Sequence, residues 1–382
     1  MNLKVTFNNS TTVFADDVKN RVEAYFQDNN LSRNANGLMY AKIIFWMTIP
    51  YASLALLCTG AVPFAWSLPI WAVIGLGLSG IGFNVGHDAI HGSISSRKWV
   101  NKVIGFSFDL MGAGSYAWVA SHNFSHHTYT NVPTLDPDIE PGPLLVFYDK
   151  NKVAWFHRYQ FIYAWPLYCL LSFLWVIERD FTFLLRPDPR NGKKGTLKQL
   201  ARVIALKAVY VFIFLFLPLY FSGFTPLQFA VGFMVMHACT GMALAVIFQL
   251  AHVVIGVDRP YVPAGSSKID TPWAEHQVRT TANFGNTEIC TFLFGGLNYQ
   301  IEHHLFPMIS HIHYPAIAPI VKACALEHGL PYVHSGSFFE AVVSHQRALY
   351  RFGRPTERDE AVNVSPERAL PEGHPHQAAP AA

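Results

Sequence analysis

Two long stretches of the sequence, residues 43–87 and 208–257, contain no Lys, Arg, Asp or Glu over 45 and 50 residues. The hydrocarbon core of a membrane, about 30 Å thick, takes about 20 apolar helical residues per crossing, so each stretch accommodates two crossings and a tight turn. Gly and Pro near the middle of each stretch, at 60–63 and 222–226, indicate the turns. The sequence therefore predicts an all-α integral membrane protein with two transmembrane helical hairpins, which is four spans.

Positive charges flank both stretches, whereas neither turn carries a cation. Loops rich in Lys and Arg stay in the cytoplasm, so we expect both termini and the whole segment between the hairpins to face it. In a bacterium this makes the chain a multi-pass protein of the cytoplasmic membrane. The content of 51% hydrophobic and 14% charged residues agrees with a membrane class, and a net charge of +3 gives no reason to expect nucleic acid as a partner.

The chain divides into three parts by composition. Residues 1–38 are polar at first and then show a helical apolar pattern, so we expect a small cytoplasmic N-terminal cap. Residues 39–353 form the membrane domain. Residues 354–382 are rich in Pro, Ala, Glu and Arg, a composition that cannot bury a core, and we expect a disordered tail.

Residues 160–177 form one further apolar segment. A single extra crossing here would place everything downstream on the opposite face of the membrane and separate the histidines described below. Pro166 and the neighbouring Tyr and Trp side chains suit a helix that lies in the headgroup zone. We therefore expect this segment to follow the membrane surface.

Histidines are concentrated in three segments beside the predicted spans, HDAIH at 87–91, HNFSHH at 122–127 and QIEHH at 300–304, and another histidine ends the last span. Residues i and i+4 of a helix share a face, and imidazole is the commonest metal-ligating side chain. A catalytic zinc takes three protein ligands, so eight imidazoles indicate two ions, held in a cytoplasmic helical cap. Nitrogen donors suit Fe, Zn, Cu or Ni. The candidate ligands are His87, His91, His122, His126, His127, His252, His303, His304 and Gln300.

Other polar residues are expected close to these ligands. Asp88, Asp136 and Asp138 are candidates to hold the outer N–H groups of ligand imidazoles, although a helix-end charge or a solvated turn explains them as well. Arg158 and Gln277 are candidates for contact with a substrate.

Several cationic residues and histidines are expected to lie outside the metal site. Arg158 and the basic residues within 186–198 form a rim that fits lipid headgroups or the phosphates of an acyl carrier, and the ordinary excess of cytoplasmic cations explains it equally well. His237, near the middle of a span, is expected to be packed or hydrogen-bonded. His311 and His313 are expected to be surface histidines.

The three histidine segments resemble the three histidine boxes of integral-membrane fatty acid desaturases. The resemblance covers roughly residues 40–350, and the glutamine that opens the third segment is similar to that of the front-end, linoleoyl-CoA desaturase-like branch. It implies that the candidate ligands hold two iron ions. It also implies molecular oxygen, electrons from a separate ferredoxin- or cytochrome b5-like donor, and a fatty acyl-CoA or acyl-lipid substrate that gains a cis double bond.

Two features depart from the family pattern. Some members place an asparagine four residues before the histidine that matches His252, whereas this chain has Phe248 there and Gln249 next. Front-end members often carry a fused cytochrome b5 domain, whose haem needs axial histidines, and residues 1–36 contain none. We therefore expect no such domain at this end and a separate electron donor.

Three alternatives remain open at the level of the sequence. A related di-iron membrane hydroxylase or oxygenase uses the same ligands. A zinc-dependent membrane hydrolase needs only three ligands and a polarised water. A metal carrier ranks lowest, because it needs ionisable groups along the crossing and these histidines gather at one face. Five scattered cysteines without a CxxC pair argue against a thiolate site.

Overall fold

A computed structural model describes residues 5–8, 12–262 and 266–356, and in these ranges the chain is mostly helical. The α-helices, numbered in chain order, are α1 (Val13–Asp28), α2 (Gly37–Leu57), α3 (Phe64–Ile81), α4 (His87–His91), α5 (Lys98–Leu110), α6 (Ser115–Trp118), α7 (His127–Tyr129), α8 (Gln160–Cys169), α9 (Leu171–Leu174), α10 (Asp180–Leu185), α11 (Leu197–Val211), α12 (Leu217–Phe221), α13 (Pro226–His252), α14 (Trp273–Thr280), α15 (Glu288–Phe294), α16 (Gln300–Leu305), α17 (Tyr314–Glu327) and α18 (Phe338–Phe352).

Short elements join these helices. π-Helical segments cover Gly82–Gly86, Val119–His126, Trp175–Arg179 and Phe212–Phe216, and 3-10 turns cover Pro137–Ile139, Trp155–Tyr159 and His311–His313. Two parallel pairs of two-residue strands complete the described structure, β1 (Thr6–Phe7) with β2 (Lys268–Ile269) and β3 (Asn283–Phe284) with β4 (His334–Ser335). Each pair ties residues that are far apart in sequence.

Four helices are long and apolar enough to cross a membrane: Gly37–Leu57, Phe64–His91, Leu197–Phe221 and Pro226–His252. The second and third of these run through a π-helical segment without a break. The four predicted spans are confirmed as candidates by length and composition. Both predicted turns lie between helices of a pair, at residues 58–63 and 222–225.

α3 packs between α2 and α13, and small residues permit the close approach. A Cβ atom on Gly75 would lie 2.3 Å from the carbonyl oxygen of Met236 in α13, and one on Gly80 would lie 2.0 Å from the ring of Trp46 in α2. Such distances leave no room for a side chain. The two glycines therefore fix how closely α3 can approach its neighbours, and α3 is the helix that leads into the first histidine segment.

The apolar segment at residues 160–177 is divided between two helices. Trp155–Cys169 and Leu171–Leu185 meet at an angle of 56° around Leu170, as in a broken span or a re-entrant loop. Ser172 donates a hydrogen bond to the carbonyl of His237 in α13. The expected single helix is therefore bent, and its placement along the membrane surface stays a prediction.

The predicted N-terminal helix is confirmed as α1. Thr12 caps it by accepting a hydrogen bond from the backbone of Ala15, and its buried face carries Phe14, Val18, Val22 and Phe26. This face packs against α17, which follows the third histidine segment. Most of the tail predicted to be disordered, residues 357–382, lies outside the described residues.

Candidate metal centre

Four separate elements deliver the candidate ligands to one buried region. α4 carries the first histidine segment, the π-helical segment Val119–His126 carries most of the second, α16 carries the third, and His252 is the last residue of α13. The chain therefore has to fold completely before these side chains meet, because residues separated by more than two hundred positions contribute.

Seven histidines fall into two groups of potential metal ligands. In each group, one donor atom from every member lies within 4.8 Å of those of the others. The first group is His87, His91, His122 and His303, and the second is His126, His252 and His304. Two groups of nitrogen donors match the number of ions that the count of histidines predicts.

His127 lies between the two groups. Its Nε2 is 3.0 Å from the Nε2 of His303, and its ring stacks on that of His304 with centroids 4.4 Å apart. The ring of His91 in the first group is 4.7 Å away. His127 is therefore placed to serve either ion position.

π-Helical winding explains how three histidines of one segment face the same centre. A π-helix bonds residue i to residue i+5 and is wound more loosely than an α-helix, so residues four and five positions on both fall near the face of the first. His122 and His126 stack with centroids 5.0 Å apart, and the His127 ring is 4.9 Å from that of His122. In an α-helix, His127 would point well away from His122.

Two carboxylates orient the second histidine segment. Nδ1 of His126 donates to Asp136 at 2.9 Å, and Nδ1 of His122 donates to Asp138 at 3.1 Å. Since an ionised carboxylate can only accept, each Nδ1 carries a proton, and in the neutral ring that binds a metal Nε2 keeps a free lone pair. Asp136 is itself fixed by the backbone N–H groups of Asn131 and Asp138. Two of the three residues predicted to hold outer N–H groups are thus in contact with candidate ligands.

In the third histidine segment, the amide of Gln277 and the hydroxyl of Tyr314 contact the outer ring nitrogens of the histidines. Nδ1 of His304 lies 2.9 Å from Oε1 of Gln277, whose Nε2 donates to the carbonyl of His127. Thr130 donates to Gln277 Oε1, and Nδ1 of His303 lies 3.2 Å from the hydroxyl of Tyr314. Gln277 contacts two of the candidate ligands, and its predicted contact with a substrate stays a prediction.

Burial keeps most of these imidazoles neutral. Desolvation holds the pKa of His122, His127, His303 and His304 well below the usual value, and the neighbouring histidines lower it further. His126 is the exception: burial lowers its pKa, but the charges of Asp136 and Asp138 and the hydrogen bond to Asp136 together outweigh burial, so its pKa is raised. Neutral imidazoles with free lone pairs are the protonation state that metal ligation requires.

The buried donor atoms fit a metal. Polar atoms buried without a hydrogen-bond partner are rare in folded proteins and call for a ligand or a water. Such atoms here are the Nε2 atoms of His87, His91, His122, His126, His252 and His304. Oε1 of Gln300 is also buried without a partner, at the start of α16. In three of these rings, those of His122, His126 and His304, the other ring nitrogen is hydrogen-bonded, which is the pattern of a metal site.

A small apolar cavity adjoins the first group. His87 lines it together with aromatic residues, and the ring of Trp118 stacks on His122 with centroids 4.4 Å apart. Phe248, at the position where the family can carry an asparagine, is another wall of the cavity, and the Oε1 of Gln249 is buried without a partner. The other lining residues are Gly82, Phe83, Phe108, Met111, Trp175 and Leu244.

Some sequence predictions are corrected by the structure. His311 and His313 are buried, not on the surface. Asp88 makes its contacts to His311 and to the hydroxyl of Ser310, and no hydrogen bond from a candidate ligand ring to Asp88 is found among the described residues. The sequence around His311 is that of a polar loop, which predicts an exposed side chain. Its partner Asp88 lies more than two hundred residues away in the chain, so the contact cannot be recognised from the sequence.

Other predictions hold or stay open. His237 is hydrogen-bonded within the helices, with Ser172 and Tyr210 each 2.9 Å from a ring nitrogen, as predicted. Arg158 is exposed, and its proposed contact with a substrate stays a prediction. Sequence reasoning missed the roles of Thr130 and Tyr314, which give no pattern of their own.

Comparison with known proteins gives one consistent family. The family described as "Fatty acid desaturase" matches residues 63–336. The chain is 34% identical to an sn-1 linoleoyl-lipid 6-desaturase of Arthrospira platensis over 90% of this chain and 93% of that protein. It is 33% identical to a protein of the same description from Synechocystis sp., over 87% of this chain and 94% of that protein. An acyl-lipid (8-3)-desaturase of Physcomitrium patens is 34% identical over 88% of this chain and 71% of its own length.

The chain therefore belongs to the fatty acid desaturase family, and it is an oxidoreductase that desaturates fatty acyl chains.

Proposed function

We propose that the two histidine groups hold two iron ions, and that the chain introduces a cis double bond into the acyl chain of a membrane lipid. The observation that carries the proposal is the convergence of seven histidines from four elements into two groups, each with donor atoms within 4.8 Å. Two bound irons would supply the oxidising chemistry with molecular oxygen, which redox-inert zinc does not support.

The protein's own residues prepare the ligands for this task. Asp136, Asp138 and Gln277 hold the outer ring nitrogens of three histidines, which fixes the tautomer and aims each Nε2 at the centre. His127 and Gln300 complete the proposed ligand set. The exclusion of water by the surrounding apolar residues protects the site from side reactions.

The apolar cavity beside His87 supports an acyl chain as the group that reacts. Apart from His87 and the indole N–H groups of Trp118 and Trp175, the walls are apolar, so they favour methylenes over polar groups. Relatives named as acyl-lipid desaturases favour a glycerolipid over acyl-CoA as the carrier. The exposed cations Arg158, Arg186 and Lys198 lie on the proposed headgroup rim.

Electrons would come from a separate ferredoxin- or cytochrome b5-like protein, and oxygen would be the final acceptor. Removing two hydrogens from the acyl chain and reducing oxygen to two waters requires two electrons and two protons from outside the substrate. The loops rich in Lys and Arg support an arrangement of two transmembrane hairpins, with the bent segment 155–185, both termini and the metal centre on the cytoplasmic side.

The decisive experiment is expression in a host that lacks the activity, followed by fatty acid profiling with location of the double bond. We expect products two hydrogens lighter than the substrate, found first in the lipid-bound fraction. Products that gain one oxygen would indicate a hydroxylase. Labelled product appearing first as acyl-CoA would overturn the lipid carrier, and purified protein without iron would overturn the metal.

A further inference from the structure

A buried lysine is unusual in a helix that can cross a membrane, and such residues are functional candidates. Lys42 of α2 is 5% exposed. Its Nζ lies 2.8 Å from Nε2 of His311, and Nδ1 of His311 lies 3.0 Å from Oδ2 of Asp88. Because an ammonium can only donate, Nε2 of His311 accepts this hydrogen bond. The His311 ring thus lies between a buried cation and a buried anion, in contact with the carboxylate but without a well-aligned ring hydrogen bond to it.

Asp88 is bound by the same short segment through two further groups. The backbone N–H of His311 and the hydroxyl of Ser310 each donate to Oδ2 of Asp88, both at 3.1 Å. Asp88 is 3% exposed and follows directly after His87 on α4. Fixing the Asp88 side chain fixes the rotation of α4, and with it the direction of the His87 ring.

The segment that holds Asp88 also holds a ligand of the third histidine segment. Tyr314, three residues after His311, contacts Nδ1 of His303 at 3.2 Å and donates to the carbonyl of Phe306. The rings of His87 and His303 are 4.5 Å apart, and both belong to the first histidine group. No hydrogen bond among the described residues links this segment to His126, His252 or His304.

We propose that Lys42, Asp88, Ser310, His311 and Tyr314 form a clamp that positions the ligands of only one of the two metal positions, that of His87 and His303. The second position is supported by different residues, Asp136 and Gln277. The clamp residues are positioning residues, because they act through His87 and His303. This inference rests on the proposed function for the identity of the metal.

Two variants with matched controls test the clamp. Lys42→Met removes the buried cation, and His311→Gln removes the connecting ring. Lys207→Met is the control for the first, since Lys207 is a half-buried lysine in a candidate span, is paired with an aspartate, Asp180, and contacts neither histidine group. His237→Gln is the control for the second, because His237 is buried and hydrogen-bonded away from the ligands.

Each full-length protein is freed of metal in detergent and titrated anaerobically with Fe²⁺ alone against a chromophoric chelator. We expect one of the two iron sites to bind about 10–100-fold more weakly in both clamp variants, with the other unchanged. Mössbauer spectra of the loaded protein should show a change in one of the two iron signals. Both controls should bind iron like the wild type.

Equal weakening of both sites, or of neither, would overturn the clamp. If Lys42→Met is not recovered as a monodisperse protein, Lys42→Met/Asp88→Asn removes both buried charges together and is judged by the same two outcomes. Titration of the wild type separates the two proposals. Wild-type protein that takes up no iron contradicts the proposed function itself, whereas normal uptake with equal weakening in the variants contradicts only the clamp.

Discussion

Single residues are expected to decide whether the proposed metal centre forms. His126 and His303 belong to different histidine groups, and each contributes a buried imidazole. We expect His126→Ala or His303→Ala to lower product formation by more than about 100-fold, since loss of a direct ligand exceeds the 10–100-fold effect of an outer partner. Fatty acid profiling measures the product, and membrane fractionation checks that the protein is still inserted.

The control for these variants is His237→Ala, which removes a buried histidine outside both groups. We expect it to retain desaturation. Retained turnover in His126→Ala or His303→Ala would remove that residue from the proposed ligand set.

The carboxylate behind His126 gives a second prediction. Asp136 accepts from His126 Nδ1 and from two backbone N–H groups, so Asp136→Asn leaves the fold of the loop largely supported but removes the negative charge behind the ring. We expect metal affinity to fall about 10–100-fold. Asp188→Asn is the matched control, because Asp188 is buried and paired with Arg190 away from the ligands. Equal metal affinity in the two variants would contradict a special role for Asp136.

At the scale of elements, the helices were predictable and their distortions were not. The absence of charge over residues 43–87 and 208–257 predicts the spans, because charged side chains are costly in hydrocarbon. The i, i+4 spacing predicts that His122 and His126 share a face. The π-helical winding that also turns His127 inward was not predicted, because the i, i+4 spacing describes an α-helix and gives no sign of looser winding.

The close packing of α3 against α13 gives a prediction about stability. A Cβ atom at Gly75 would meet the carbonyl of Met236 at 2.3 Å, so Gly75→Ala forces the two helices apart. Overpacking of this kind costs about 1–3 kcal/mol, and we expect a lower Tm in detergent. Gly37→Ala is the control, because a Cβ atom there meets no atom within 4 Å. An unchanged Tm in Gly75→Ala would show that α3 and α13 separate without cost.

For the whole molecule, the sequence predicts the candidate ligands better than it predicts the residues that hydrogen-bond to them. Histidine spacing predicts the histidines that the structure brings together in two groups, because ligation of a metal would restrict residue type and position together. The partners of those ligands are less restricted: a hydroxyl such as Tyr314 and a lysine such as Lys42 are recognised only when distant segments are brought together. His311 shows the same limit, since its loop appears exposed until α4 and α2 are placed beside it.

The arrangement of the whole chain in the membrane gives the last prediction. Both turns lack cations while every long loop carries them, so we expect the turns on one side and all histidines on the other. Single cysteines introduced at Thr59 and Gly223 in a cysteine-free background should react with a membrane-impermeant maleimide in intact cells. Cysteines at Lys98 and Lys268, exposed residues of the histidine-bearing loops, should react only after the cells are opened.

This labelling also tests the bent segment 155–185 directly. If that segment crossed the membrane once, Lys98 and Lys268 would lie on opposite sides, because they flank it in the chain. Labelling of only one of them in intact cells would place His122 and His304 on different faces. Both histidine groups contain residues from before and after that segment, so neither group could then assemble. The proposed dinuclear site therefore requires that the cysteines at 98 and 268 both stay unlabelled in intact cells.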